Sequence, residues 1–227
     1  MLVVYLDIET TGLAKEEHDI TVIALIVQDS SGREPDYEQI HNVVLDARAG
    51  RQAHTRAALC ALLHRCDRIV AYNGVGFDVP FLAHWAHGGA GAPADATAAA
   101  WAAKTVDFFR VAERIVFARV GMQKMCVDNG MAISKSATGR QAVQWALEEE
   151  WDKLERYCMQ DVRVLLALTQ FARANPVCVR GYQRSNATFG AQGFFRLEED
   201  MTCTVVAARA EACAPLPRLD LAAVFAD

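Results

Sequence analysis

The chain opens with an aliphatic and β-branched run, Leu2-Val-Val-Tyr-Leu6, that ends on two carboxylates two positions apart, Asp7 and Glu9. The run reads as a buried strand over residues 2–8, and a strand directs residues i and i+2 to one face. Asp7 and Glu9 therefore leave the strand's end side by side. Like charges held close repel, and burial raises that cost, so the pair calls for a cation. The same D-x-E spacing recurs at Asp36-Tyr-Glu38, where it reads as a solvated strand face. What separates the first pair is its apolar strand and the Thr10-Thr-Gly12 turn after it, whose backbone and hydroxyl donors could hold a ligand's end.

The pattern that follows predicts a mixed sheet. Residues 20–29 form a second apolar run, residues 30–33 a turn, and residues 37–45 alternate as a returning strand, giving an antiparallel meander. Helical spacing of Leu59, Leu62, Leu63 and Cys66 over residues 53–66 precedes a short strand at 68–72, a glycine loop at 73–76 and a helix over 77–87. Pro80 is tolerable only in the first turn of that helix. Residues 88–103 are rich in Ala and Gly and read as a surface insertion, with a short helix at 98–103. A strand at 104–107 and helices through 117 and within 121–131, 139–150 and 151–173 complete the pattern. Strands in a meander, then strand–helix alternation, then helices imply an α/β fold: antiparallel strands, then parallel ones, flanked by helices. This unit is expected over residues 1–173, with residues 174–227 a C-terminal extension packed back on it. In that tail Arg180, Tyr182, Arg184, Phe189, Phe194 and Phe195 could line a single-strand path or pack against the domain.

Composition narrows the function classes. With 227 residues, 52% hydrophobic and 22% charged, the chain suits one domain with additions or two small ones, able to fold without staples. Seven cysteines without C-x-x-C spacing fit reduced, mostly buried thiols rather than a structural zinc site. His84 and His87 form an H-x-x-H that reads as a helix end. A net charge of −5 excludes a general basic field for coating nucleic acid, so any polyanion would be met in a local groove with divalent cations. The short apolar start suits neither a signal peptide nor a membrane span. The expectation is a soluble intracellular protein, cytoplasmic or nuclear, with no membrane partner.

Two further constellations carry chemistry. Asn73-Gly-Val-Gly-Phe77-Asp78 follows a buried strand directly, its glycines allowing close backbone approach, and Asp78 falls at a helix N-terminus. Aspartate there is also a common helix cap. Tyr157-Cys-Met-Gln-Asp161 lies in an apolar helix, where positions i and i+4 share a face. A carboxylate flanked by Val162, Leu165 and Leu166 is costly unless paired or metal-bound, or unless it lies on the wet face with Tyr157 at the rim.

In this order the three constellations resemble the DEDD 3′→5′ exonuclease superfamily, which has an RNase H-like fold. The acidic positions are Asp7, Glu9, Asp78 and Asp161. Tyr157 stands four before the last aspartate, as in the tyrosine branch, and Arg156 occupies the five-before position where the histidine branch differs. The resemblance covers residues 1–173 and is closest to stand-alone domains related to the proofreading domains of family B DNA polymerases. The 88–103 insertion and the tail have no match in it.

The resemblance implies phosphodiester hydrolysis with two Mg²⁺ or Mn²⁺ ions about 4 Å apart. It implies that Asp7 bridges both ions, that Glu9 and Asp161 complete one site, and that Asp78 holds the other. Tyr157 would orient the attacking water. Thr10 or Thr11 would lie near the 3′ hydroxyl and Leu13 would act as a wedge, while Asn73 and Phe77 would contact the next nucleotide. Phe77 reads equally as a core residue. The expected partner is nucleic acid with a free 3′ end, single-stranded and DNA rather than RNA, and any polymerase or repair partner would be a separate chain. A structure-selective endonuclease of the same fold, or an exonuclease fold kept as a binding module, are the rival readings.

Overall fold

A computed structural model describes residues 1–29, 39–46, 52–132, 137–181 and 192–206, with residues 39–46 and 52–54 described by backbone alone. The Asp36–Glu38 pair, the 30–33 turn and Tyr182, Arg184 and Phe189 lie outside the described residues. Two compact units emerge, one of Met1–Asp107 with Ser136–Leu165 and another of Phe108–Lys135 with Leu166–Asp227.

In the first unit a five-stranded sheet forms from β1 (Leu2–Thr10), β2 (Ile20–Asp29), β3 (Gln39–Asp46), β4 (Arg68–Ala71) and β5 (Thr105–Asp107). Its order is β3-β2-β1-β4-β5. β1 and β2, and β2 and β3, pair antiparallel, whereas β4 runs parallel to both β1 and β5. The expected mixed, RNase H-like sheet is therefore present, with β1 at its centre. β1 and β2 are nearly continuous apolar runs, buried beneath the helices of this unit.

Those helices are α1 (Gln52–Arg65), α2 (Asp78–His87), α3 (Ala92–Ala102), α6 (Gly139–Leu147) and the first part of α7 (Trp151–Ala174). One β1 face, Val4, Leu6 and Ile8, joins a core with Leu59 and Leu63 of α1, Val79, Phe81 and Leu82 of α2, and Trp101 of α3. α2 stops where Gly88 adopts φ 70° and its N–H bonds back to the last turn, a conformation that costs glycine least. α6 starts on a capping box, Thr138 and Gln141 satisfying each other's backbone N–H groups.

Residues 88–103 depart from the surface insertion expected of them. Their helix begins at Ala92, six positions before the 98 expected from sequence, and it buries Ala94, Thr97 and Trp101. Alanine carries little apolar weight, so periodicity alone hid a face that one tryptophan anchors.

The second unit holds α4 (Phe108–Val116), α5 (Met122–Asp128) and an antiparallel sheet of β6 (Val177–Arg180), β7 (Gln192–Leu197) and β8 (Cys203–Val206) in that order. α4 packs on β6 and β7, and α5 on β6. Phe108 and Phe195 are fully buried with ring centroids 5.6 Å apart. The Asn129 side chain bridges α5 to β6, donating to the Met125 and Cys178 carbonyls and accepting from the Cys178 amide at 2.7–2.8 Å. The two units divide elsewhere than at the expected 173/174 boundary: Phe108–Lys135 groups with Leu166–Asp227. Phe194 and Phe195, considered for a strand path, are core residues. The six described cysteines are all free thiols, and no described helix is long and apolar enough to cross a membrane.

Trp101→Ala tests the correction to 88–103. Emptying a fully buried indole site should destabilise the protein by about 3–5 kcal/mol, read from the denaturant midpoint at unchanged slope. A near-neutral effect would restore the surface reading.

Candidate functional site

The alternation that sends Val4, Leu6 and Ile8 into the core leaves Asp7 and Glu9 on the opposite face of β1. Cys158 of α7 meets that face, its sulfur 3.5 Å from the Asp7 carbonyl oxygen and 3.5 Å from Asp7 Oδ2. Leu154, Cys158, Val162 and Leu165 form the buried stripe of α7, and Tyr157 and Asp161 stand one turn apart beside it. Tyr157 is buried, with a hydrogen bond to Asp161 and its ring centroid 6.0 Å from that of Trp145 of α6 in a T-shaped arrangement.

Asp78 is the first residue of α2 and is buried. Its carboxylate accepts from its own backbone N–H and from the Ile8 N–H at 3.1 Å, between the two acidic residues of β1. Asp7, Glu9, Asp78 and Asp161 are thereby electrostatic neighbours, the last three each raising the pKa of Asp7.

Burial pushes the Asp7 carboxyl well above the usual carboxylate range, with the charges of Asp78, Glu9 and Asp161 adding and the Cys158 thiol hydrogen bond opposing. Burial also lifts Asp78 to about 7, with the Asp107 charge adding and the Asp78 and Ile8 amides opposing. The Tyr157 phenol is raised by burial and then by Asp161, Glu9 and Asp7. Carboxylates that resist ionising together are what a divalent cation relieves. Oxygen donors fit a hard ion such as Mg²⁺ or Mn²⁺. Among the described residues, ligand atoms of Asp7, Glu9 and Cys158 lie within 4.8 Å of one another.

The turn after Glu9 is internally bonded. Thr10 donates to the Gly12 carbonyl at 2.6 Å, and Thr11 Oγ1 accepts from the Asp19 amide at 3.1 Å. Gly12 lies so close under the His18 ring that a side chain there would collide with it. Leu13 projects from this turn, 85% exposed. Opposite the turn, the β1–β2 register shifts between Glu9 and Thr10. Thr21, bulged out of β2, donates to the Glu9 carbonyl at 3.0 Å. A bulge bends a strand locally, here at its acidic end.

Asn73 takes a left-handed φ of 64°. Asp107 receives the Asn73 N–H at 2.9 Å and the Val75 N–H at 3.0 Å. Gly74 leaves no room for a Cβ against Ala71, and its carbonyl accepts from Val79 at 2.8 Å. Phe77 is half-buried, packed on the core with its ring centroid 4.8 Å from that of Phe81. The core reading of Phe77 thus has direct packing behind it. His84 and His87 end α2, and His87 pairs with Thr97 at 2.8 Å.

Sequence reasoning missed Asp107, Cys158 and Thr21. Asp107 ends an apolar strand as Glu9 does, a signal too short to weigh over three residues. Cys158 was legible as the residue beside Tyr157 on an apolar helix, although nothing in the spacing tied it to Asp7, 151 positions away.

A family model of the RNase H superfamily matches residues 4–172. The chain belongs to the RNase H superfamily. No curated protein matches it by sequence. Among solved structures it is similar to the family B DNA polymerase of the hyperthermophilic archaeon Pyrobaculum calidifontis, at 17% identity and TM-score 0.53 over 75% of this chain and 24% of that one. It is also similar to exonuclease I, at 15% identity and TM-score 0.52 over 76% of this chain and 41% of that one. The RNase H superfamily member thus spans less than half the length of either, and at these identities the likeness is one of fold.

The raised carboxyls set a pH dependence. Without cations the fold holds protons on Asp7 and Asp78 that the unfolded chain releases near its ordinary carboxylate pKa. Their contribution is therefore most favourable below about pH 4 and is lost as pH rises towards 7. Mg²⁺ bound there would replace those protons, so its elevation of the melting temperature should be small at about pH 5 and larger at about pH 8. Asp78→Asn should flatten the slope in chelator. A Mg²⁺ shift equal at both pH values would contradict this assignment.

Proposed function

We propose that this protein is a metal-dependent 3′→5′ exonuclease that removes nucleoside 5′-monophosphates from a single-stranded end, DNA in preference to RNA. The observation that carries the reading is the convergence of Asp7, Glu9, Asp78 and Asp161, with Tyr157 hydrogen-bonded beside Asp161. The preference for DNA is supported by one structural relative being, by name, a DNA polymerase. Asp7, Glu9, Asp78 and Asp161 would hold two divalent ions. Such ions, when bound, neutralise charge on the attacking and leaving oxygens of an in-line displacement.

The residues divide the remaining work. Tyr157, buried and pushed towards the protonated form, acts as a hydrogen-bonding group rather than a base. Its hydroxyl orients the water that attacks phosphorus. The bond from phosphorus to the 3′ oxygen of the preceding nucleotide breaks; the attacking water releases a proton to solvent, and the leaving 3′ oxygen takes one up from solvent. Leu13, exposed beside the Thr10–Gly12 turn, wedges at the terminal base, and Asn73 and Phe77 border the next nucleotide.

End-labelled single- and double-stranded DNA and RNA, digested with and without Mg²⁺, test this directly. The expected result is shortening from the 3′ end with release of mononucleotides, abolished by Asp7→Ala. Cutting of closed circles would favour a structure-selective endonuclease, and tight binding without hydrolysis would favour a binding module. Tyr157→Phe should lower turnover by up to about 10²–10⁴-fold while leaving the Mg²⁺ melting shift in place, because no carboxylate changes. Parental turnover at saturating metal and substrate would refute the role given to Tyr157.

A further inference from the structure

Hydrolysis as described assigns no task to Cys158, although its sulfur lies against Asp7. The side chain is fully buried and stands 3.5 Å from Asp7 Oδ2. Asp7, Glu9 and Cys158 are also the one group of three potential metal-ligating side chains that come within 4.8 Å of one another among the described residues.

That separation fits two situations. A thiol donating to a carboxylate lies at such a distance, and this is the contact in the cation-free protein. A tetrahedral zinc ion with a sulfur bond of about 2.3 Å and an oxygen bond of about 2.0 Å also places its sulfur and oxygen ligands roughly 3.5 Å apart. The sulfur would need little movement to change from hydrogen-bond donor to ligand. Hard ions such as Mg²⁺ leave sulfur aside and take oxygen, whereas thiophilic ions select it.

We propose that Cys158 completes an oxygen–oxygen–sulfur site with Asp7 and Glu9 that takes a thiophilic divalent cation, Zn²⁺ or Cd²⁺, in competition with the hard ion. On binding, a metal–sulfur bond forms and the thiol proton passes to solvent, with no change of oxidation state. The consequence for activity rests on the exonuclease reading: a soft ion held here displaces the ion that hydrolysis requires. The site itself does not depend on what the protein cleaves.

Cadmium makes the bond visible, because cadmium–thiolate coordination absorbs in the ultraviolet. The protein titrated with Cd²⁺ should develop this band, and Cys158→Ser should lose the component that saturates first. Asp7→Asn, which retains every cysteine, should lose the same component and covers the case in which the serine variant does not fold. The preference for Zn²⁺ over Mg²⁺, measured from melting shifts, should fall by about 10- to 100-fold in Cys158→Ser, at least the scale on which outer-shell partners act. A band indifferent to either substitution, or an unchanged Zn²⁺ to Mg²⁺ preference, overturns the proposal. A normal band in a protein inactive on every nucleic acid with Mg²⁺ would instead remove the exonuclease reading and leave the sulfur site standing.

Discussion

Mutual repulsion among carboxylates drawn out of water is the constraint around which the first unit is arranged. Each of Asp7, Glu9, Asp78 and Asp161 would be inexpensive at the surface, and together in a partly buried site their repulsion opposes folding. The scaffold answers with rigidity. β1 is the central strand, paired antiparallel on one edge and parallel on the other. Its apolar alternate face is locked into a core with three helices. Side chains mounted on such a strand cannot spread apart to relieve their charge.

Backbone amides then decide what each acidic group is for. Asp107 accepts two amides of the Asn73–Gly76 loop and is spent on holding its shape. Asp78 accepts one inter-segment amide, from Ile8, and still has its pKa lifted to about 7 by burial. Two buried aspartates near one loop thus serve different ends, one as a fastener and the other as a group available to a cation. Thr21 and His18 serve the turn after Glu9 in the fastening sense, one through the Glu9 carbonyl and the other through its stacking on Gly12.

What could be read from sequence followed from period and length. The β1 run, the Tyr157–Asp161 spacing and the Gly-rich loop before Asp78 were legible because each is a local pattern, and their order chose between the readings each allows alone. The mixed sheet followed from their order. Residues 92–102 were not legible as a packed helix, since an alanine-rich face has almost no hydrophobic contrast and Trp101 alone marks its buried side. The strands β6 to β8 were hidden by brevity, four to six residues each. The assignment of 108–135 to those strands, and of Cys158 to Asp7, are long-range facts that periodicity does not encode.

The span between Asp7 and Cys158 also bears on the order in which the chain can acquire its chemistry. The β1–β2–β3 meander is made of near neighbours, whereas β4 closes on β1 across some 65 positions and α7 reaches β1 only after 151. Contacts so distant must repay loop-closure entropy before they contribute, so they form late. During synthesis the first two acidic residues leave the ribosome long before the helix that completes their surroundings. A nascent or truncated chain would therefore carry Asp7 and Glu9 on an ordinary wet strand, with no concentrated negative field and no reason to capture an ion. Any ion capture at this locus would report that β1 and α7 have met.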